Sequence, residues 1–353
     1  MGRIRTTGNV VVACALTMVL AACGGGGGGS GAGGPDSDAE VLLRYAFFAP
    51  AQSFPGVQME EWAKRLDEET DGQVKVELFP GGTLLASGDI FDGVTQGIVE
   101  VGMDSPAYDV ERFPLSSVVT LPIGFSCSQA ASKAMLDLLE EYQPQEFENY
   151  EIITAFTTEP AYIQSKEPVG SMADLSGLEM RTSGALTPAL QLLGAAPVGM
   201  PMPEVAQALE TGVIDGYASS REVLQDFGLA DSVKYVTDYA FGVSNTFVAV
   251  MDKDYFESLP DNVKEAIRSL KAEMTEFAST YHDEQNVGAA LEWATSEKGV
   301  EIVELDESER AQWDQRLQEL VNSWLTQAAG RGFDPQEVLD RARELAEQYG
   351  SEC

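Results

Sequence analysis

Apolar and polar positions along this chain switch repeatedly between two periods. Val41 to Phe48 is a run of β-formers and predicts a strand. From Pro55 to Thr70, Val57, Met59, Trp62, Ala63 and Leu66 recur among acids and bases at helical spacing. Asp71-Gly72 closes that helix, and Val74 to Phe79 predicts the next strand. After the turn Pro80-Gly81-Gly82, Ser87 is placed to cap a helix over Asp89 to Gln96, closed by Gly97. Ile98 to Met103 predicts a third strand. The order then repeats. Leu178 to Thr182 predicts a strand, and Leu186 to Leu193 a helix ended by Gly194. Val198 to Met200 predicts a strand, Glu204 to Glu210 a helix behind the first-turn proline Pro203, and Val213-Ile214 the start of a further strand. This alternation predicts α/β layers on largely parallel sheets. The helix–Gly–strand steps at Gly97 and Gly212 resemble each other and point to two similar domains. Beyond Tyr255 the pattern is helical over Val263 to Asn286, Glu307 to Ala329 and Pro335 to Gln348. Trp293, Trp313 and Trp324 read as packing anchors rather than ligands.

The first forty residues do not follow this pattern. Arg3 and Arg5 precede an apolar run, Val10 to Leu20, too short for a membrane-spanning helix. Leu20-Ala21-Ala22-Cys23 resembles a bacterial lipobox, which implies a signal peptide over 1–22 and a lipid on Cys23. Gly24 to Gly34 is broken only by Ser30 and Ala32 and cannot bury a core. Residues 23–40 therefore read as a flexible tether with an r.m.s. reach of roughly 20–25 Å.

Charge narrows the class of partner. There are 22 Lys+Arg against 57 Asp+Glu, a formal net charge of −35. Phosphate binding needs a basic face, so nucleic acid is excluded as an expected partner. A charge of this size favours stability at high salt, where self-repulsion is screened.

Of the four cysteines, Cys14 lies in the signal segment and Cys23 in the lipobox. Cys127 and Cys353 remain. They are either a disulfide that pins the C-terminus, closing a long loop at a gain of up to about 5 kcal/mol, or two free thiols.

Chemistry for catalysis is sparse. The single histidine, His282, sits beside Asp283 and Glu284 on a polar stretch that reads as solvent-facing. No zinc spacing, nucleophile elbow or phosphate loop occurs, and no metal or cofactor is expected. Binding without chemistry is the expectation.

Three segments carry a family resemblance: Ser171 to Arg181 (SMADLSGLEMR), Leu193 to Met200 (LGAAPVGM) and Pro203 to Gly216 (PEVAQALETGVIDG). Together they resemble the substrate-binding subunits of tripartite ATP-independent periplasmic (TRAP) transporters. Fainter likeness runs through Leu78 to Leu84, Thr120 to Ile123 and Phe256 to Pro260. The resemblance implies a type II-like periplasmic-binding-protein fold, with two α/β domains around a ligand cleft and long connecting and C-terminal helices. It implies one domain over 41–158 plus about 247–290, and a second over 159–246 plus about 291–353. It also implies capture of a small carboxylate-containing ligand by a closing cleft, delivery to a small and a large TRAP membrane subunit, and a periplasmic or extracytoplasmic location. Arg181 matches the family's ligand-binding arginine.

The residues make their own case for Arg181. It ends a predicted strand, where open α/β sheets bind ligands. Its guanidinium pairs with a carboxylate through two parallel charge-assisted bonds. The alternative is a structural salt bridge, which so many acids make easy to form. Phe47 and Phe48, then Asp104, Ser105 and Tyr108, end or follow predicted strands and join the candidate ligand set. Tyr217 and Ser219 follow Asp215-Gly216, and Phe241, Asn245 and Phe247 flank an expected second crossing between domains. Some relatives carry a second arginine where this chain has Ala161-Tyr162, so the resemblance does not carry over their solute. Two rival readings are the binding protein of an ATP-driven transporter and a secreted carboxylate-dependent hydrolase.

Overall fold

The structure, a computed structural model, describes residues 40–353. The expected signal segment, Cys23 and all of the tether except Glu40 lie outside the described residues. Eleven strands follow in order: β1 Val41–Phe47, β2 Val74–Phe79, β3 Val101–Asp104, β4 Tyr150–Thr157, β5 Tyr162–Ser165, β6 Glu179–Thr182, β7 Ala196–Gly199, β8 Gly216–Ser219, β9 Tyr235–Thr237, β10 Thr246–Asp252 and β11 Glu301–Val303. They form a five-stranded sheet ordered β2-β1-β3-β10-β4 and a six-stranded sheet ordered β11-β9-β5-β8-β6-β7.

Each sheet is parallel except for one strand. β10 runs antiparallel to both β3 and β4, and β5 antiparallel to both β8 and β9. These two strands enter directly from the other sheet. Thr246 to Met251 is buried throughout, as a central strand covered on both faces requires. Its side chains divide by the strand period of two. Phe247, Ala249 and Met251 join Trp62, Leu66 and Leu270, from the helices Phe54–Glu69 and Asp261–Tyr281, on one face. Val248 and Val250 join Ala131, Ala134 and Met135 of the helix Ser128–Tyr142 on the other.

The two connections between the sheets, residues 158–161 and 238–245, pair with each other. Ala161 N donates to Gly242 O at 2.8 Å, Phe241 N to Ala161 O at 3.1 Å, and Ser244 N to Glu159 O at 3.1 Å. At this ribbon Gly242 has φ +66°, and a Cβ there would run into the carbonyl of Thr120. Only glycine tolerates both conditions.

Several expected boundaries move. The third strand starts at Val101 and not at Ile98, because Gly97 turns at positive φ and Ile98 N still bonds Gly93 O. The strand expected at Val213-Ile214 starts at Gly216, because Val213 N caps the preceding helix through Ala208 O. Ser87 caps no helix; its Oγ bonds the Asp104 carboxylate at 3.2 Å. The expected helix over Glu307 to Ala329 is two, Glu307–Leu317 and Glu319–Gln327. The one over Val263 to Asn286 runs Asp261–Tyr281, loosens into a π-helix at His282–Asn286, and continues as Val287–Glu297. Trp313 and Trp324 are buried anchors, while Trp293 is half-buried with the Lys298 amine 5.0 Å over its ring.

Cys127 and Cys353 form a disulfide with a Cα–Cα separation of 5.7 Å. The last helix, Pro335–Tyr349, lies along Ser128–Tyr142. It is tied there by the Arg341–Glu141 fork (2.6 and 2.9 Å) and by Tyr349 OH to Asp137 at 2.6 Å.

Candidate functional site

The site begins with β6. Met180 points into the core and Arg181 to the opposite face, as alternation along a strand demands. β6 lies between β7 and β8, with Arg181 in register with Val198 and Tyr217. The Arg181 side chain is 2 % exposed. Its Nε donates to the Met200 carbonyl at 2.9 Å, while Nη2 is buried without a hydrogen-bond partner. Among the described residues no carboxylate comes within ion-pair distance of it, so the structural salt bridge is not made. Burial lowers the pKa of this guanidinium, but an arginine starts so high that the charge is retained. Tyr108 flanks it, with the guanidinium 5.8 Å from the ring centroid.

Arg181 lines a cavity between the two sheets that encloses about 400 Å³ of atom-free space, its mouth included. The first sheet and its helices supply an aromatic wall. Phe48 follows β1, Phe54 opens the helix after it, and Phe247 stands on β10. Their rings meet at 5.7 Å (Phe54–Phe247) and 6.3 Å (Phe48–Phe247). The second sheet supplies the polar wall: Arg181, Ser219, Ser220, Glu222 and Asp226. Thr158, Ser244 and Asn245 of the crossing ribbon close the base.

The two acids differ in their partners. Asp226 accepts from Phe54 N at 3.2 Å and from Asn286 Nδ2 at 3.1 Å. Burial pushes its pKa up to about 6. Glu222 accepts from Ser220 Oγ at 2.8 Å through Oε1, while Oε2 is buried and unpartnered. Burial, then the charges of Asp226 and Glu159, push it well above the usual carboxylate range.

His282 is not solvent-facing as its sequence suggested. It is fully buried, 4.2 Å from the Phe54 ring, and its Nε2 accepts from Glu159 N at 2.9 Å. Its pKa is pushed down to about 3, chiefly by burial. It is therefore neutral, and its 3.9 Å approach to Glu222 is no ion pair. The π-helix brings both His282 and Asn286 inward, a use such bulges often have. Behind the cavity, Arg221 forks onto Glu159 (3.0 and 2.7 Å) and lies 4.1 Å over the Tyr162 ring.

With this geometry in place, residues 45–327 match a family described as DctP, bacterial extracellular solute-binding protein, family 7. The chain belongs to this family. The C4-dicarboxylate-binding periplasmic protein DctP of Rhodobacter capsulatus is 25% identical over 89% of this chain and 91% of its own. The TRAP periplasmic solute-binding protein of Desulfovibrio salexigens superposes with TM-score 0.78 at 39% identity, covering 89% of this chain and 98% of that one. The TRAP solute-binding protein of Rhodoferax ferrireducens, in complex with benzoate, superposes with TM-score 0.83 at 25% identity, covering 88% and 99%. The two-sheet fold is thus the type II-like fold of TRAP solute-binding proteins, and the family's place is extracytoplasmic. These relatives are binding proteins, not enzymes.

In this solute-binding protein the cavity gathers Arg181, Phe48, Tyr108, Ser219, Asn245 and Phe247 from the expected set. Five others stand behind its wall. Phe47 backs Phe48, with ring centroids 4.6 Å apart. Asp104 is occupied by Gly88 N, Ser105 N and Ser87 Oγ. Ser105 Oγ donates to Asn245 Oδ1 at 2.6 Å and so orients a lining residue. Tyr217 is turned onto Gln164 Oε1 at 2.9 Å, and Phe241 packs in the core.

Glu222, Asp226, Ser220, Ser244, Thr158 and Phe54 were not found from the sequence. For the two acids a signal was present. Glu222 and Asp226 stand at i and i+4 just past the Asp215-Gly216 motif, which places them on one face of a helical turn.

Proposed function

We propose that this chain captures a small organic acid anion in the cavity between its sheets and delivers it to a TRAP-type permease made of a small and a large membrane subunit. One observation carries the reading: a buried arginine with an unpartnered Nη2 lines the cavity. An unpaired buried charge is costly, and a carboxylate arriving at Nη2 removes that cost while forming charge-assisted bonds. The relatives' solutes support the chemical class. The Rhodoferax protein holds benzoate, the Bordetella bronchiseptica one mandelate, and the Rhodobacter relative is named for C4-dicarboxylates. Aromatic and polar walls come from different sheets, so a ligand touching both favours closure. The segments 41–158 with 247–290, and 159–246 with 291–353, are the proposed moving units, hinged at the crossing ribbon.

The proposal includes the tether: signal cleavage before Cys23, lipid on that cysteine, and a flexible link to the membrane. Radioactive palmitate should label the wild type, and a Cys23→Ser protein that still labels would end that part. Capture is tested by thermal shift and calorimetry over a panel of carboxylates. Binding is expected for at least one acid and should vanish in Arg181→Ala. An Arg181→Ala protein that keeps wild-type affinity within a few-fold would remove the arginine from the site.

A further inference from the structure

The cavity holds two buried polar atoms that the protein leaves unsatisfied, and they are opposite in kind. Arg181 Nη2 is a donor with no acceptor, and Glu222 Oε2 is an oxygen with no donor. Both side chains line the same space, at 2 % and 3 % exposed. Leaving a buried hydrogen-bonding group without a partner is costly, and more so when it is charged. Two such costs in one cavity point to a molecule that completes both.

Nothing around Glu222 completes it instead. His282 Nε2 lies 3.9 Å away, but that nitrogen already accepts from Glu159 N and carries no proton to offer. Arg221, the adjacent residue, is committed to Glu159. Asp226, one turn on, adds a second carboxyl, whose oxygens are engaged by Phe54 N and Asn286 Nδ2. A purely anionic solute would therefore meet two carboxyls as well as a guanidinium in the same cavity. In their ionised forms these carboxyls favour a cationic partner over an anionic one, which is a specificity device as much as a binding one.

We infer, resting on the organic-acid reading above, that the solute is a small zwitterion, its carboxylate on Arg181 and a protonated nitrogen on Glu222. Phe48, Phe54 and Phe247 fit the same class. Their rings line the cavity, and a desolvated cation that meets an aromatic face gains further attraction. Burial and the charges of Asp226 and Glu159 raise the pKa of Glu222 in the ligand-free cavity, and a protonated nitrogen beside it favours the ionised form.

The test is a panel of matched acids that differ in a nitrogen: proline against cyclopentanecarboxylate, pipecolate against cyclohexanecarboxylate, and phenylglycine against phenylacetate. Thermal shift and calorimetry on the full chain should find binding among the nitrogen-bearing members, at least tenfold tighter than their partners. Glu222→Gln should weaken the nitrogen-bearing members tenfold or more and leave the others unchanged or improved. Arg181→Ala should abolish all binding. Nitrogen-free acids that bind as well as their partners, or a Glu222→Gln protein that keeps full affinity, would overturn the zwitterion while leaving acid capture standing. A panel in which no member shifts the melting temperature would overturn both.

Discussion

Arg221 and Arg181 stand close to the same cavity, on residues that follow or belong to neighbouring strands, and meet opposite conditions. Arg221 donates twice to Glu159, its own backbone N–H adds a third bond to that carboxylate at 2.8 Å, and its plane covers Tyr162. Arg181 has one backbone carbonyl on Nε and nothing on Nη2. The first guanidinium is satisfied by the fold and ties the crossing ribbon to the second sheet. The second is held in place by the fold and left for something else to satisfy. Partner count, more than burial or residue type, separates the two arginines.

The comparison predicts opposite outcomes for the two deletions. Arg181→Ala should remove about 2–5 kcal/mol of binding, as losing one partner of a buried charged pair does. It should leave the ligand-free melting temperature equal or higher, because an unpaired buried charge is gone. Arg181→Lys should restore little, since an ammonium lacks the planar fork. A ligand-free Arg181→Ala protein that unfolds more easily than wild type would show the side chain to be structural after all.

Arg221→Ala should do the reverse. Stranding Glu159, which is 5 % exposed, should cost about 3 kcal/mol in urea unfolding, with affinity per folded molecule unchanged within a few-fold. A large loss of affinity without a loss of stability would erase the distinction.

Asp226 gives a pH-dependent version. Its folded pKa near 6 lies above the unfolded value, so the folded state holds the proton to higher pH. Its contribution to stability is full below about pH 4 and is lost as pH rises through 6. Wild type should therefore lose about 2–3 kcal/mol relative to Asp226→Asn between pH 4 and 7, read from urea unfolding at each pH. A constant difference would mean that Asp226 titrates normally. The smallest effect is that of salt. With a net charge of −35, added salt should raise the melting temperature of wild type and Arg221→Ala by a similar few degrees, since it screens the surface and not the buried fork.

Arg181 was legible because its segment carries its own context: a short strand after Asp174-Leu175-Ser176-Gly177, ending where α/β sheets bind ligands. The alternating stretch from Val41 to Met103 was legible for the same local reason. The crossing strands were not, since β5 and β10 take their places between partners far away in sequence. His282 shows the limit most clearly. Asp283 beside it made the stretch look solvated. That carboxylate instead accepts from Ser128 N (3.0 Å) and Gln129 N (2.8 Å), capping a helix 155 residues earlier in the chain. A charged neighbour signals exposure only when its partner is water. Glu222 and Asp226 were hidden by abundance: their i, i+4 spacing past Asp215-Gly216 marks a shared face, but among 57 acids it does not say that the face lines a cavity.

The Cys127–Cys353 bond makes a covalent ring of everything between those residues, both sheet-to-sheet crossings included. A protease that nicks either crossing would cut a peptide bond without releasing a fragment. The two sheets would stay one molecule, joined the long way round, and separation would require a reductant as well. For a receptor working outside the cell's own repair machinery, a single cut then alters one crossing without discarding the protein.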